Sequence, residues 1–388
     1  MCNRVIYLDY HATTPMDPRV GKRVRECMER TFGNPESDHA VGDEAEDVVR
    51  AARAEVAGLV GTTPERVIFT SGATEALNLA IQGYVHRRMR EAPGRRVSLG
   101  VLPVEHVAVL EVCRKMVQDG WATLVEFRVD SQGRLDLDHL DGICRHGLDL
   151  ACIMAANNEV GTVYPLPDVA AITQKRGVKL LTDATQAVGK VPVQFDDSGL
   201  DFLALSGHKL YGPKGIGSLC LASRADVDPP FVGGVQEGGV RPGTLNVPGI
   251  AGLGEACRLR RLEMELDEPA IAERRNLLEN MLKAAVPELV VNGDLRNRLA
   301  GNLHVSIPGL SGSAVVATLR RVVALSTGSA CSSGAVGPSH VLRALCMGEH
   351  LAEGSLRMGL GKFTSIDEVE MAASLIVDCV RRSQLAVR

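Results

Sequence analysis

No two cysteines in this chain have C-x-x-C spacing, although ten are scattered along its 388 residues. That absence argues against a zinc site and against a disulfide framework, and it fits free thiols in a reducing compartment. No stretch approaches the roughly 18 apolar residues that a membrane-spanning helix needs. The segment Met1 to Tyr10 also lacks the apolar run of a secretory signal. Together these absences predict a cytoplasmic protein. Neither sign of charge dominates: 43 Lys and Arg stand against 47 Asp and Glu, a formal net charge of -4. Bulk electrostatics therefore gives no reason to expect direct binding to nucleic acid or to a membrane. Internal repeats, low-complexity tails and a clear linker are missing too.

What is present is an ordinary globular composition, 45% hydrophobic and 23% charged, with 40 glycines. The length predicts about two domains. Between residues 15 and 256, short apolar runs bounded by turns alternate with helical stretches. The runs lie at 66–70, 150–155, 179–182, 202–205 and 217–221, with helices such as 75–88 and 168–175 between several of them. This alternation predicts a large α/β domain with a mostly parallel sheet covered on both faces. Beyond it the pattern changes to a long charged helix (256–285), an alternating strand (302–307), a helix near 313–321 and a final helix from Asp367. Residues 257–388, together with 1–14, are expected to form a smaller α+β domain.

Four segments of the first domain end apolar strands with polar residues, where open α/β sheets bind ligands. In Ala204-Leu205-Ser206-Gly207-His208-Lys209, a lysine at a strand end could form a Schiff base with an aldehyde. Most lysines are solvated surface groups, so this reading leans on the other three segments. Asp183, after Lys179-Leu180-Leu181-Thr182, could pair with a protonated pyridinium nitrogen, or simply cap a helix. Thr70-Ser71-Gly72-Ala73-Thr74-Glu75 is a strand, a tight turn and a helix start, which makes either a phosphate cradle or an empty capping box. Asn157-Asn158-Glu159 follows another strand, and its amides could anchor a carboxylate or a ring oxygen. His106 could stack on a planar ring, although a lone histidine is more often structural.

A different signal comes from Cys331, within Ser326-Thr327-Gly328-Ser329-Ala330-Cys331-Ser332-Ser333-Gly334. That run carries no large apolar residue and has glycine on both sides, so it predicts a solvated, mobile loop over about 326–338. A thiol there is placed for reactivity rather than packing.

These segments, taken in order, resemble the pyridoxal-phosphate enzymes of aminotransferase class V, and most nearly the cysteine desulfurases. The resemblance runs from Tyr7-Leu8-Asp9-Tyr10-His11-Ala12-Thr13-Thr14-Pro15 through Phe32-Gly33-Asn34-Pro35 and the four segments above. It continues to Arg241-Pro242-Gly243-Thr244, Gly328-Ser329-Ala330-Cys331 and Ser355-Leu356-Arg357. It implies the PLP-dependent transferase fold type I, with a seven-stranded, mostly parallel sheet in the large domain. It implies that Lys209 holds pyridoxal phosphate covalently, that Asp183 pairs with the ring nitrogen, Gln186 with the ring hydroxyl oxygen, and that His106 stacks and shuttles protons. Ala73, Thr74, Ser206 and His208 would surround the phosphate, and Thr244 would reach the phosphate of a partner subunit in a homodimer. Asn158 and Arg357 would hold the substrate carboxylate, Arg357 through a bidentate fork.

The function so implied converts L-cysteine to L-alanine and leaves the sulfur as a persulfide on Cys331, the long Ser/Gly-rich loop resembling the subgroup that serves general sulfur delivery. No metal is implied. The acceptor would be a protein of iron–sulfur cluster assembly, of tRNA thiolation or of DNA phosphorothioate modification. Selenocysteine lyase, or transamination as in other class V enzymes, are the alternative reactions, and a scaffold that lost its chemistry is a third reading. The loop thiol argues against transamination, and the presence of both Lys209 and Cys331 argues against the scaffold.

Two positions depart from the family pattern. Gly238 stands where many relatives carry a basic residue, and Glu36 where a small one is common. The arginines 258, 260 and 261, followed by Glu263, Glu265, Asp267 and Glu268, are expected to lie on a solvated helix face with intrahelical pairing.

Overall fold

A computed structural model describes residues 5–327 and 339–387. Its strands in chain order are β1 (Ile6–Tyr7), β2 (Val67–Thr70), β3 (Val97–Val101), β4 (Ala122–Glu126), β5 (Leu150–Cys152) and β6 (Lys179–Asp183). There follow β7 (Phe202–Ser206), β8 (Gly217–Leu221), β9 (Val290–Val291), β10 (Asn302–Ser306), β11 (Val323–Ala324) and β12 (Ser355–Gly359).

Seven strands form the central sheet in the order β2-β8-β7-β6-β5-β3-β4. β8 runs antiparallel to both β2 and β7, and the other pairings are parallel. The period-two rule explains how such short runs serve two cores. In β7, Phe202 and Ala204 pack into one hydrophobic cluster, while Leu203 and Leu205 pack into the cluster on the opposite face. A strand buried on both faces reads as a continuous apolar run, as these do. Each fully buried Leu or Phe contributes roughly 1.5–3 kcal/mol.

A third cluster lies apart from the sheet. It joins Ile6 and Leu8 to Ile271, Leu278, Leu303, Val305, Leu356, Met358 and the final helix Ile366–Val387. Here β10 lies between β12 and β9, all antiparallel, and β1 pairs in parallel with β11. The helix Val247–Ala285 connects the regions: its buried residues Ile250 to Leu259 belong to the sheet's core, and Ile271 to Leu282 to the third cluster. It starts nine residues before the sequence suggested, because Asn246 caps it by accepting from Gly249 N (3.1 Å) and Pro248 fits its first turn.

Arg260 corrects the expectation of a solvated face. Its side chain is only 1% exposed; it donates to Gly189 O (2.7 Å), pairs with Asp267 and Glu268, and lies over the Tyr211 ring. The intrahelical pairing with Asp267 and Glu268 is as expected, and Arg258 and Arg261 are solvated; only the packing of Arg260 against Gly189 and Tyr211 departs from the charge pattern.

Gly238 also has a local reason. It takes φ +64°, and a Cβ there would collide with the Arg224 guanidinium, which donates to Glu237 O (2.6 Å). Glu237, itself at φ 52°, is held by Arg53 (2.7 and 2.8 Å) and accepts from Phe69 N (3.1 Å). This backbone therefore disfavours a side chain at 238. We expect Gly238→Ala to lose about 1–3 kcal/mol of stability, read as the shift in a urea unfolding midpoint. An unchanged midpoint would show that the left-handed conformation is not required. Glu36 is exposed and accepts from Gln236 Nε2 (2.6 Å), tying the early chain to the 236–243 turn.

Candidate functional site

The sheet's carboxyl edge opens into a cavity of ≈ 530 Å³. Its lining gathers Ala73, Thr74, His106, Asn158, Asp183, Gln186, Ser206, His208, Lys209 and Arg357, from segments as far apart in sequence as Ala73 and Arg357. Of the remaining residues singled out in the sequence, Thr244 is exposed and does not line it, and Cys331 lies outside the described residues.

Lys209 is delivered by β7 through a single tight turn, Gly207–Lys209. Its Nζ donates to the main-chain oxygens of His11 and Ala12, the latter at 2.9 Å. The turn is braced by Thr14, whose hydroxyl donates to His208 O (2.9 Å) and accepts from Tyr211 N (2.9 Å). Tyr211 takes a left-handed φ of 64°. Such a conformation persists only where surroundings impose it, and Lys362 Nζ lies 4.7 Å from the centre of its ring.

Asp183 ends the neighbouring β6, buried, with Oδ1 accepting from Thr185 N (2.9 Å). At another wall the helix Ala73–Glu91 begins without a side-chain cap, so its first amides and the positive end of its dipole meet the cavity. Ser206 approaches there closely: a Cβ on Gly72 would lie 3.6 Å from its hydroxyl. His208 Nδ1 is 3.0 Å from the Thr13 hydroxyl. Burial, then the Lys209 charge, push His208 down to about 4, so it is a neutral ring at physiological pH. A neutral ring has one N–H to donate and one nitrogen to accept, and Nδ1 is the nitrogen paired with Thr13.

His106 caps the helix Val107–Gln118, its Nδ1 accepting from Ala108 N (3.1 Å). Burial lowers its pKa, while Asp183 pulls it upward. Arg357, on β12, is 3% exposed and spans the two ends of the chain, donating to Asp9 (3.1 Å) and Asn158 O (3.2 Å).

The cavity has unmet polar valences. His11 Nε2, Thr185 Oγ1 and Arg357 Nε are buried without a hydrogen-bond partner among the described residues. Buried polar groups are normally paired, so these three call for a polar ligand. A planar, anionic, phosphorylated pyridine aldehyde fits: an amine for the aldehyde, a carboxylate for the ring nitrogen, and a helix N-terminus with Ser206 and His208 for the phosphate. The described residues contain no group of three or more His, Cys, Asp or Glu placed to hold a metal.

Sequence reasoning missed roles for His11 and Thr185, although both sit in segments that carried the resemblance. Nothing in a linear pattern reveals that a ring nitrogen is left unpaired. Eight cysteines are described; seven are buried and Cys346 is exposed. Burial pushes the Cys144 thiol up to about 11 and Cys220 up to about 12, which makes them poor nucleophiles.

Residues 6–371 match the aminotransferase class-V family. A cysteine desulfurase IscS of Anaeromyxobacter sp. (strain Fw109-5) is 42% identical over 381 residues, covering 97% of this chain and 93% of that protein. Among solved structures, a NifS-like protein superimposes with a TM-score of 0.89 at 31% identity, covering 97% of this chain and 99% of the other. A structure of SspA in complex with cysteine gives a TM-score of 0.80 at 29% identity, covering 92% and 99%.

Proposed function

The chain belongs to the aminotransferase class-V family, in its cysteine desulfurase branch, and from that premise we propose how its own residues carry out the reaction. It is a pyridoxal-phosphate enzyme that takes the sulfur of L-cysteine and leaves L-alanine. The observation that carries the assignment of roles is the placing of Lys209 at the end of β7, in one cavity with Asp183 and the uncapped helix start at Ala73.

Bound there, pyridoxal phosphate supplies an electron sink for charge developing on the substrate. Lys209 holds it covalently and then moves the proton at the substrate α-carbon. Asp183 keeps the ring nitrogen protonated, and Gln186 donates to the ring oxygen. Ala73 and Thr74 amides, Ser206 and His208 hold the phosphate, and the exposed Thr244 supports a second phosphate contact made to a partner subunit of a homodimer. Since His106 Nδ1 is committed to its helix cap, Nε2 is the nitrogen that holds or passes a proton. Arg357, with Nε unpaired, and Asn158 receive the substrate carboxylate.

Cys331 supplies the nucleophile. Its thiolate attacks the substrate sulfur; an S–S bond forms and the substrate C–S bond breaks. The bonding pair stays with the carbon, which takes up a proton and becomes the methyl of alanine. The persulfide then passes to an acceptor protein of iron–sulfur assembly, tRNA thiolation or DNA phosphorothioate modification. Charge balance argues against direct nucleic-acid contact. No helix among the described residues is long and apolar enough to cross a membrane, and we place the enzyme in the cytoplasm. We divide the chain inside the connecting helix, into a large domain (15–256) and a small one (1–14 and 257–388); the change of core falls somewhat later in that helix, because Cys257 and Leu259 still pack in the sheet's core and Ile271 in the third cluster.

The test is to incubate purified protein, reconstituted with pyridoxal phosphate, with L-cysteine and a reductant. Alanine and sulfide should appear in equal amounts. A protein that binds the cofactor and yields neither product sinks this reading.

A further inference from the structure

Behind the wall formed by Gln186 lies a second lysine. Lys190 does not line the cavity; its Nζ donates to Gln186 Oε1 at 2.8 Å. The same oxygen faces His11 Nδ1 at 3.3 Å, while Gln186 Nε2 donates to His11 O at 2.9 Å. These partners leave the amide one orientation. An ammonium or amine donor must face the oxygen, and a carbonyl must face the nitrogen. Gln186 thus spends one N–H on His11 and has its second for a group inside the cavity it lines.

We propose that Lys190 is a positioning residue: by fixing the Gln186 amide, it presents that second N–H to the cofactor's ring oxygen and so sets the protonation midpoint of the Lys209–cofactor linkage. The inference rests on the roles given above to Lys209 and Gln186. A proton on the linkage nitrogen is held by the negative charge of the adjacent ring oxygen. An N–H donated to that oxygen draws the charge away, so the proton leaves at lower pH.

The surroundings of Lys190 agree. It faces Lys209, His11 and His208 on the cavity side, and Arg260 and Glu268 from the long helix. Burial and the Lys209 charge push it down to about 7, against the upward pull of Glu268. Protonated or neutral, its nitrogen still donates to Gln186, so the lock holds across the working range. Where Lys190 is charged, its repulsion of a cationic linkage acts in the same direction.

The experiment is a pH titration of the visible absorbance band of the holoenzyme. Lys190→Met should raise the midpoint by about one pH unit, and Lys190→Arg, which keeps a donor, should stay near wild type. Gln186→Ala should raise it as well, and adding Lys190→Met to that variant should move it little further. An unmoved midpoint in folded, fully loaded Lys190→Met overturns the proposal. So do equal shifts in the Met and Arg variants, or a full additional shift on top of Gln186→Ala. Should Lys190→Met fail to fold, an unmoved midpoint in Gln186→Ala alone is sufficient to reject it. A wild-type protein with no visible band would instead reject the role of Lys209, and this inference with it.

Discussion

Lys209→Ala is expected to abolish the visible absorbance of the bound cofactor and to lower alanine formation by at least about a thousandfold. The variant loses two things at once: the amine that holds the cofactor and the group that moves the proton at the substrate α-carbon. Its fold should persist. Nζ contributes hydrogen bonds to two carbonyls of the His11-Ala12 segment, but that segment is held independently by Thr14 against His208 and Tyr211. Circular dichroism and the thermal midpoint should therefore stay near wild type. Retention of the band would mean that another amine carries the linkage. Lys214 lines the same cavity and is the residue to examine next.

Cys331→Ser separates holding from transferring. The variant should load with cofactor and show the wild-type band, because every residue assigned to the cofactor lies elsewhere in the chain. Alanine formation should fall by about a hundredfold or more, since a serine hydroxyl is not ionised near neutrality and cannot accept sulfur as a thiolate does. Cys346→Ser is the matched control. It is the exposed thiol among the described cysteines, and its loss should leave turnover unchanged. Equal activity in Cys331→Ser and wild type would refute the role given to Cys331; loss in Cys346→Ser instead would move that role to Cys346.

The most legible parts of the sequence were the strand ends. β6 and β7 are apolar runs that stop abruptly at Asp183 and Ser206; either end alone could be a cap or a turn, and it was several such ends together that pointed to a ligand. β3 and β4 were not recognised. Val97-Ser98-Leu99-Gly100-Val101 contains a glycine that reads as a breaker, yet Gly100 is there because Phe127 fills the space a Cβ would need. β4 is an edge strand with exposed residues, so its apolar signal is diluted. Arg260 and Lys190 were illegible for another reason. Arg260 lies in a charged helical run that suggests a solvated face, and its packing against Gly189 and Tyr211 comes from distant parts of the chain; Lys190 carried no signal of its own, and its bond to Gln186 is a product of the folded turn. His11 was visible within a motif, but the unmet valence of its ring is a property of the folded state alone.

Arg357, which lines the cavity, and Asp9, its ion-pair partner, are separated by 348 positions. Asp9 bridges Gly359 through the backbone, and β1 pairs with β11 beside it. A chain emerging from the ribosome would present Lys209, Asp183 and the helix start at Ala73 long before residue 357 exists. On the roles proposed above, such a nascent chain would carry the cofactor residues without the arginine that receives the substrate. Closing so long a loop is a late event in folding. On that assignment, capture of an amino acid would wait until both ends of the chain have met.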